Sequence, residues 1–118
     1  MMLRIDPASA VPPFEQLRVQ LLEQVQSGHL AAGAKLPTVR KLAEDLGLAP
    51  GTVARTYREL ETLGIIETRG RAGTFVAAQG DPAERGAQQA ARDYVDRIRS
   101  LGVDSDAALE WVRAALRP

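Results

Sequence analysis

Two short amphipathic patterns, separated by a glycine and a proline, constrain the fold more than any other feature of the sequence. The first pattern places apolar residues three and four positions apart, at Val39, Leu42, Ala43 and Leu46. Gly47 ends this pattern, because glycine readily adopts the left-handed conformation that closes a helix. Pro50 suits the first turn of a second helix. That helix has a predicted buried face of Val53, Tyr57 and Leu60. Two helices joined by so short a turn predict a helix-turn-helix.

The segments on either side complete a winged-helix pattern. A helix is predicted over residues 13–27, with apolar residues on one face at Phe14, Leu17, Leu21 and Val25. Residues 34–36 are predicted to be extended, because a proline follows them, and they are candidates to pair with later strands. Residues 65–69 and 74–77 are predicted to be strands around a turn at 70–73. A β-hairpin directly after a helix-turn-helix is a wing.

The last third of the chain is predicted to be helical. A boundary is expected near residues 79–82, where glycine and proline interrupt the pattern. The helical run that follows has apolar residues at Ala87, Ala90, Ala91, Tyr94, Ile98 and Leu101. Asp104 or Ser105 is predicted to cap a final helix. The fold class is therefore mainly α with a small β-hairpin: a winged helix-turn-helix domain over residues 1–78 and a two-helix dimerisation segment over residues 79–118.

Composition and charge narrow the functional class. The 118 residues include 15 basic and 15 acidic side chains, and a neutral net charge is unusual for a DNA-binding domain. Residues 35–71, however, hold seven basic and five acidic residues, and they contain the helix-turn-helix. With no cysteine and only His29, no metal site or cofactor is expected. Because no signal peptide or long apolar run is found, we expect a soluble, cytoplasmic protein with no membrane partner.

The exposed side of the second helix of the motif holds the main candidate DNA contacts. In a helix-turn-helix this helix enters the major groove and its N-terminal part faces the base edges. At about 100° per residue, Gly51, Arg55 and Arg58 lie roughly opposite the buried face. Gly51 allows close approach to DNA, and Thr52, on the flank, is placed to bond a base edge or a phosphate. Arg55 is suited to bidentate bonds with guanine or phosphate oxygens. The alternative is an ordinary solvated helix face.

Three more arginines lie in the neighbouring segments. Arg40 stands at the start of the preceding helix, where a phosphate contact would fix the docking register. Arg69 and Arg71 lie beside the glycines of the predicted wing turn, and an arginine on a protruding hairpin is suited to the minor groove or the backbone of DNA. A bare surface turn is the alternative for the wing. For Lys41, next to Arg40, solvation is as consistent with the sequence as a phosphate contact.

A set of short motifs runs through residues 12–78. They are Gly33-Ala34-Lys35-Leu36-Pro37-Thr38-Val39-Arg40, Leu42-Ala43, Leu46-Gly47, Thr52-Val53, Gly64-Ile65-Ile66 and Gly73-Thr74-Phe75-Val76. Together they resemble the GntR family of bacterial transcription regulators, and the short helical tail resembles that of the YtrA-type branch. The resemblance implies a homodimer on a two-fold symmetric operator, with DNA contacts by Arg40, Thr52 and Gly73. One departure is Ala49-Pro50, which stands where the family often has a polar cap followed by arginine.

Apolar residues in the tail are candidates for a dimer interface. They are Tyr94, Ile98, Leu101, Leu109, Trp111, Val112 and Leu116. Packing within one chain is the alternative, yet two broad apolar helix faces are more than so small a chain is expected to bury alone. Symmetric pairing would also set the distance between two recognition helices. A small-molecule effector that preferred one spacing would then regulate binding, although no motif identifies such a molecule.

These features predict a sequence-specific transcription regulator, a repressor, that acts as a homodimer on double-stranded operator DNA. Catalysis is not expected, because His29 has no recognisable nucleophile partner and no phosphate-binding loop is present. Acidic neighbours such as Glu44 and Asp45 suit a solvated helix face. The alternative function is a winged-helix protein-interaction module without specific DNA binding, which the neutral net charge permits.

Overall fold

Three helices and a β-hairpin form the first of two units in the chain. A computed structural model describes all 118 residues and divides them into Met1–Gln79 and Gly80–Pro118. The helices of the first unit are α1 (Pro13–Gln26), α2 (Val39–Leu46) and α3 (Pro50–Thr62). They are followed by strands β1 (Ile66–Thr68) and β2 (Thr74–Val76), with a 3-10 turn at Gly70–Ala72 between them. The predicted winged-helix fold is confirmed.

The junction of α2 and α3 has the local chemistry that the sequence indicates. The Thr38 hydroxyl caps α2 by accepting a hydrogen bond from the Lys41 amide at 3.1 Å. Gly47 ends α2 with φ of 67°, in the left-handed region that favours glycine. At the start of α3, Ala49 provides no side-chain cap and Pro50 occupies the first turn. A polar cap is thus absent at the end of α3 that is predicted to face DNA.

The core of the first unit lies between the three helices and the hairpin. Its buried residues are Leu17, Leu21, Val25, Leu36, Leu42, Ala43, Val53, Tyr57, Leu60, Ile66 and Val76. Thr56 is also fully buried, which the apolar pattern of α3 did not predict. Its hydroxyl donates to the Thr52 carbonyl oxygen at 3.0 Å, so this buried polar group is satisfied within its own helix.

The hairpin has a third backbone segment on its outer edge. β1 and β2 are antiparallel, with Ile66 opposite Val76 and Thr68 opposite Thr74. On the other side of β2, Lys35 forms an isolated antiparallel bridge with Phe75. The adjoining Leu36 amide donates to the Thr74 carbonyl oxygen at 2.8 Å. The extended segment predicted before α2 therefore does pair with the wing.

The first residues of the chain lie along α1, held by glutamine side chains. The paired residues are Gln16 with Asp6, Gln20 with Arg4, and Gln24 with Met2. The Gln20 amide accepts from the Arg4 N–H at 2.8 Å and donates to the Arg4 carbonyl oxygen at 2.7 Å. Four helical residues rise about 6 Å and two extended residues about 6.6 Å, so the two spacings match. Leu3 and Ile5, between the clamped positions, pack against the core.

The second unit is a pair of helices, α4 (Pro82–Ser100) and α5 (Ser105–Leu116). Asp81 and Glu84 form a capping box, so α4 begins at Pro82, five residues before the first apolar position of the predicted run. Of the two candidate caps for α5, Asp104 accepts from the Ala107 amide at 2.9 Å. The Tyr94 hydroxyl joins the two helices by donating to the Ala108 carbonyl oxygen at 2.9 Å. None of the helices combines the length and apolar character that a bilayer crossing requires.

Candidate nucleic-acid interface

One side of α3 presents an open, polar surface, which we call the recognition face and define by Gly51, Thr52, Arg55 and Arg58. Gly51 is exposed, and a Cβ built on it would meet no atom within 4 Å. Thr52 is half-buried, while Arg55 and Arg58 are exposed. The helical arrangement predicted for these four residues is present. The surface beside Gly51 is free of neighbouring side chains and can admit a close partner.

Arg55 has a neighbour on α1 that the sequence did not reveal. Its guanidinium lies over the ring of Phe14, with Cζ 4.0 Å from the ring centroid. Phe14, predicted to lie on the apolar face of α1, is half-buried and forms the platform for this guanidinium. Stacking engages the face of a guanidinium and leaves its N–H edge available to acceptors. Arg55 is therefore oriented by α1 while its donors remain accessible.

Acidic groups surround Arg55 on two helices. Glu59 lies one turn along α3, with its Oε1 3.9 Å from Arg55 Nε. On α1, Arg18 donates to Glu15 at 3.0 Å. That hydrogen bond lowers the pKa of the Glu15 carboxyl, and the charge of Arg55 acts in the same direction. Because exposed ion pairs contribute little stability, these contacts can be exchanged for contacts with a more highly charged partner.

The start of α2 exposes two cations that differ in their surroundings. Lys41 Nζ is 3.0 Å from Asp45 Oδ1, one turn further along the helix. Arg40 is exposed, and its side chain makes no hydrogen bond or ion pair within the chain. The predicted phosphate contact at Arg40 is thus compatible with its position, and the charge of Lys41 is partly neutralised by its own helix.

Of the two arginines at the turn of the wing, one has partners within the chain and the other has none. Arg69 is paired with Glu67, and its guanidinium lies over Phe75 with Cζ 4.5 Å from the ring centroid. Arg71, in the 3-10 turn, is exposed and has no hydrogen bond or ion pair within the chain. Gly73 has φ of 115° and ψ of −159°, a conformation essentially limited to glycine. The shape of the turn therefore requires Gly73, independently of any contact it makes.

Some of the basic side chains of the first unit are paired with acidic side chains, and others are not. Lys41, Arg55 and Arg69 each have an acidic partner in the first unit. The exposed cations without such a partner include Arg40, Arg58 and Arg71, which belong to α2, α3 and the wing respectively. A winged helix thus presents unpaired positive charge on each of the three elements from which such domains contact DNA.

The second unit contains an apolar groove of about 630 Å³ between α4 and α5. Five of the seven predicted interface residues line it: Tyr94, Ile98, Leu109, Val112 and Leu116. Ile98 is already buried inside the unit and so helps to join the two helices, whereas Leu109 is 49% and Leu116 78% exposed. Leu101 and Trp111 are exposed as well but lie outside the groove lining. We call this feature the α4/α5 groove.

Sequence comparison places the first unit in a known family. Residues 13–76, more than half of the chain, match the profile described as bacterial regulatory proteins, gntR family. The HTH-type transcriptional regulator Rv1152 of Mycobacterium tuberculosis is 46% identical over 110 residues, which cover 93% of this chain and 90% of that protein. The HTH-type transcriptional repressor YtrA of Bacillus subtilis is 47% identical over 77 residues, 64% of this chain and 58% of that protein. The family and these relatives are transcriptional regulators, not enzymes.

Solved structures of similar fold support the same assignment. YtrA from Sulfolobus acidocaldarius, a GntR-family transcription factor, covers 97% of this chain and 96% of its own, with a TM-score of 0.61 and 25% identity. The DNA-binding domain of AraR, solved in complex with operator ORX1, covers 64% of this chain and 93% of its own, with a TM-score of 0.56 and 25% identity. This chain therefore carries a winged-helix DNA-binding domain and belongs to the GntR family of bacterial transcriptional regulators, in its YtrA-type branch.

Proposed function

We propose that the protein is a cytoplasmic repressor that binds, as a homodimer, to an operator with two-fold symmetry. The observation that carries this proposal is the distribution of unpaired cations. Arg40, Arg58 and Arg71 make no ion pair within the chain and belong to the three elements of a winged helix that meet DNA. Phosphate groups are the acceptors that such dispersed, solvated guanidinium groups bind most readily.

Within this proposal the recognition face enters the major groove. Gly51 allows the end of α3 to approach the bases, and Thr52 bonds a base edge or a phosphate. Arg55 donates from the edge of its stacked guanidinium, and Arg58, one turn further along, contacts the backbone. Base contacts carry the sequence preference, whereas the backbone contacts fix the register.

The flanking elements supply further contacts with the DNA backbone. Arg40 binds a phosphate from the first turn of α2. In the wing, Arg71 reaches the backbone or the minor groove, and Arg69 exchanges its pairing with Glu67 for a phosphate. Gly73 gives the turn the conformation that brings these two arginines to its surface. The wing thereby extends the contact beyond the major groove.

We infer that a second copy of the chain fills the α4/α5 groove. Leu109 and Leu116 are large apolar residues left exposed at this groove, and Leu101 and Trp111 extend the apolar surface beyond it. Pairing like surfaces about a two-fold axis would bury these residues in both copies. It would also set the distance between two recognition helices, which must be about 34 Å or a multiple of it to read successive major grooves.

Two features support repression and its control. The relative from Bacillus subtilis, with 47% identity over the matched region, is named a transcriptional repressor. The α4/α5 groove, at about 630 Å³, has the volume of a small-molecule site. An effector that entered this groove would compete with the partner subunit and so release the operator.

Selection of bound sequences from a random DNA pool tests this function directly. The expected result is enrichment of two inverted half-sites whose centres are about one or more helical turns apart. A pool that remains random after repeated selection would contradict specific DNA binding and favour the alternative function of a protein-interaction module.

A further inference from the structure

Lys35 lies beside the wing, although it precedes the helix-turn-helix in the sequence. It bridges Phe75 of β2, and the neighbouring backbone pairs with the same strand at Ala34 and Leu36. The Val76 amide donates to the Ala34 carbonyl oxygen at 2.9 Å, for example. The position of Lys35 is therefore fixed by backbone hydrogen bonds on both sides. The sequence motif around this residue indicated only an extended segment.

The side chain of Lys35 extends over the glycine that shapes the wing turn. A Cβ built on Gly73 would lie 2.8 Å from Lys35 Cε and 3.5 Å from Lys35 Nζ. The missing side chain at Gly73 thus leaves the space in which the end of the lysine lies. Because Gly73 is two residues from Arg71, the ammonium group lies close to the turn that contains that arginine.

The charge of Lys35 is not neutralised within the chain. Lys35 is exposed and makes no side-chain hydrogen bond or ion pair, whereas the only other lysine, Lys41, lies 3.0 Å from Asp45. An ammonium is a compact charge with three donors and no planar fork, so it suits a phosphate better than the edge of one particular base. Its expected contribution is to affinity rather than to sequence preference.

The geometry points to Lys35 as a further phosphate-binding residue, which contacts the DNA backbone next to the wing turn. This assignment rests on the proposed function, and it adds a contact from the extended segment before α2 to those from α2, α3 and the wing. It also gives Gly73 a second role, since the glycine provides both the shape of the turn and the space for the lysine.

The test is the salt dependence of operator binding by full-length wild type, K35Q and K35R. Each lost phosphate contact lowers the slope of log K against log salt by about 0.9, so K35Q should lower it by about two in a homodimer. Between 50 and 200 mM salt the affinity of K35Q should then fall roughly tenfold less than that of wild type. K35R retains the charge and should retain the wild-type slope. Affinity for random DNA should change in parallel with affinity for the operator.

K41Q is the matched control, because it removes the lysine whose charge already has an acidic partner. If K35Q binds the operator with the same slope of log K against log salt as wild type, the assignment of Lys35 is overturned. The proposed function is not affected by that result. An equal decrease in slope for K41Q would overturn it too, since the effect would then follow total charge. Wild-type protein without any operator preference would instead overturn the proposed function.

Discussion

The Tyr57 hydroxyl donates a hydrogen bond to the carbonyl oxygen of Pro37 at 2.8 Å. This bond joins the middle of α3 to the residue that precedes the Thr38 cap of α2. The two helices of the motif are thus connected by a specific polar contact as well as by apolar packing. Under the proposed function, their relative position sets the geometry with which Arg40 and the recognition face would meet DNA.

Replacing Tyr57 by phenylalanine should destabilise the first unit by about 0.5–1.5 kcal/mol, because one hydrogen bond is lost and the Pro37 carbonyl oxygen loses its partner. Hydrogen exchange of the amides in α2 and α3 measures this change. Tyr94→Phe is the matched control, since it removes a hydroxyl that bonds the Ala108 carbonyl oxygen in the second unit. Unaltered exchange in Tyr57→Phe would show that apolar packing alone fixes the two helices.

The raised pKa of Tyr57 should make the protein less stable in alkaline solution. Burial raises the pKa of Tyr57 to about 12, while an unfolded tyrosine titrates near 10. Between these values the unfolded state binds fewer protons than the folded state, so the free energy of unfolding decreases as pH rises. In a Tyr94→Phe variant, which leaves Tyr57 as the only tyrosine, tyrosinate absorbance should appear near pH 12. Its appearance near pH 10 in folded protein would contradict the burial of this hydroxyl.

A third prediction concerns the hydrogen bonds by which glutamine side chains of α1 hold the N-terminal segment, which we call the glutamine clamp. Gln20→Ala removes both hydrogen bonds to the Arg4 backbone, so exchange of the Arg4 amide should become faster. Gln26→Ala is the control, because this exposed glutamine at the end of α1 makes no hydrogen bond through its side chain. Equal exchange rates in the two variants would mean that the packing of Leu3 and Ile5 alone holds the segment.

Local rules were sufficient to predict most of the fold. The Thr38 cap, the left-handed Gly47 and the proline at the start of α3 each depend on neighbours within a few residues, and all three are present. The capping box of Asp81 and Glu84 is equally local, and it begins α4 at the boundary expected near residues 79–82.

Contacts between distant segments could not be predicted in this way. The stacking of Arg55 on Phe14, the position of Lys35 beside Gly73 and the glutamine clamp on the N-terminal segment all join residues far apart in the chain. Periodicity reports which side of one helix is apolar, but not which side chain of another segment will lie against it. For the candidate interface, the sequence therefore predicted the exposed cations but not the ring of Phe14, which orients Arg55.

Arg55→Ala should weaken operator binding by about 1–3 kcal/mol, the range expected for a side chain that contacts base edges. The side chain is exposed, and its guanidinium is already oriented by Phe14, so little conformational freedom is lost on binding. Titration with operator DNA at fixed salt measures the loss. Arg4→Ala, at an exposed arginine of the N-terminal segment, is the control and should bind like wild type. Unchanged affinity for Arg55→Ala would mean that Arg55 only connects α3 to α1.

Leu109→Lys should produce a monomer that binds the operator weakly, because it places a charge in the α4/α5 groove, where the second protomer is proposed to pack. Burial of an unpaired ammonium costs several kcal/mol, more than one exposed leucine contributes to an interface. Sedimentation measures the oligomeric state. Leu63→Lys is the matched control, since Leu63 is a similarly exposed leucine in the first unit, and it should leave the oligomeric state unchanged. A dimer that persists in Leu109→Lys would place the interface elsewhere. The α4/α5 groove would then not determine the distance between the two recognition helices.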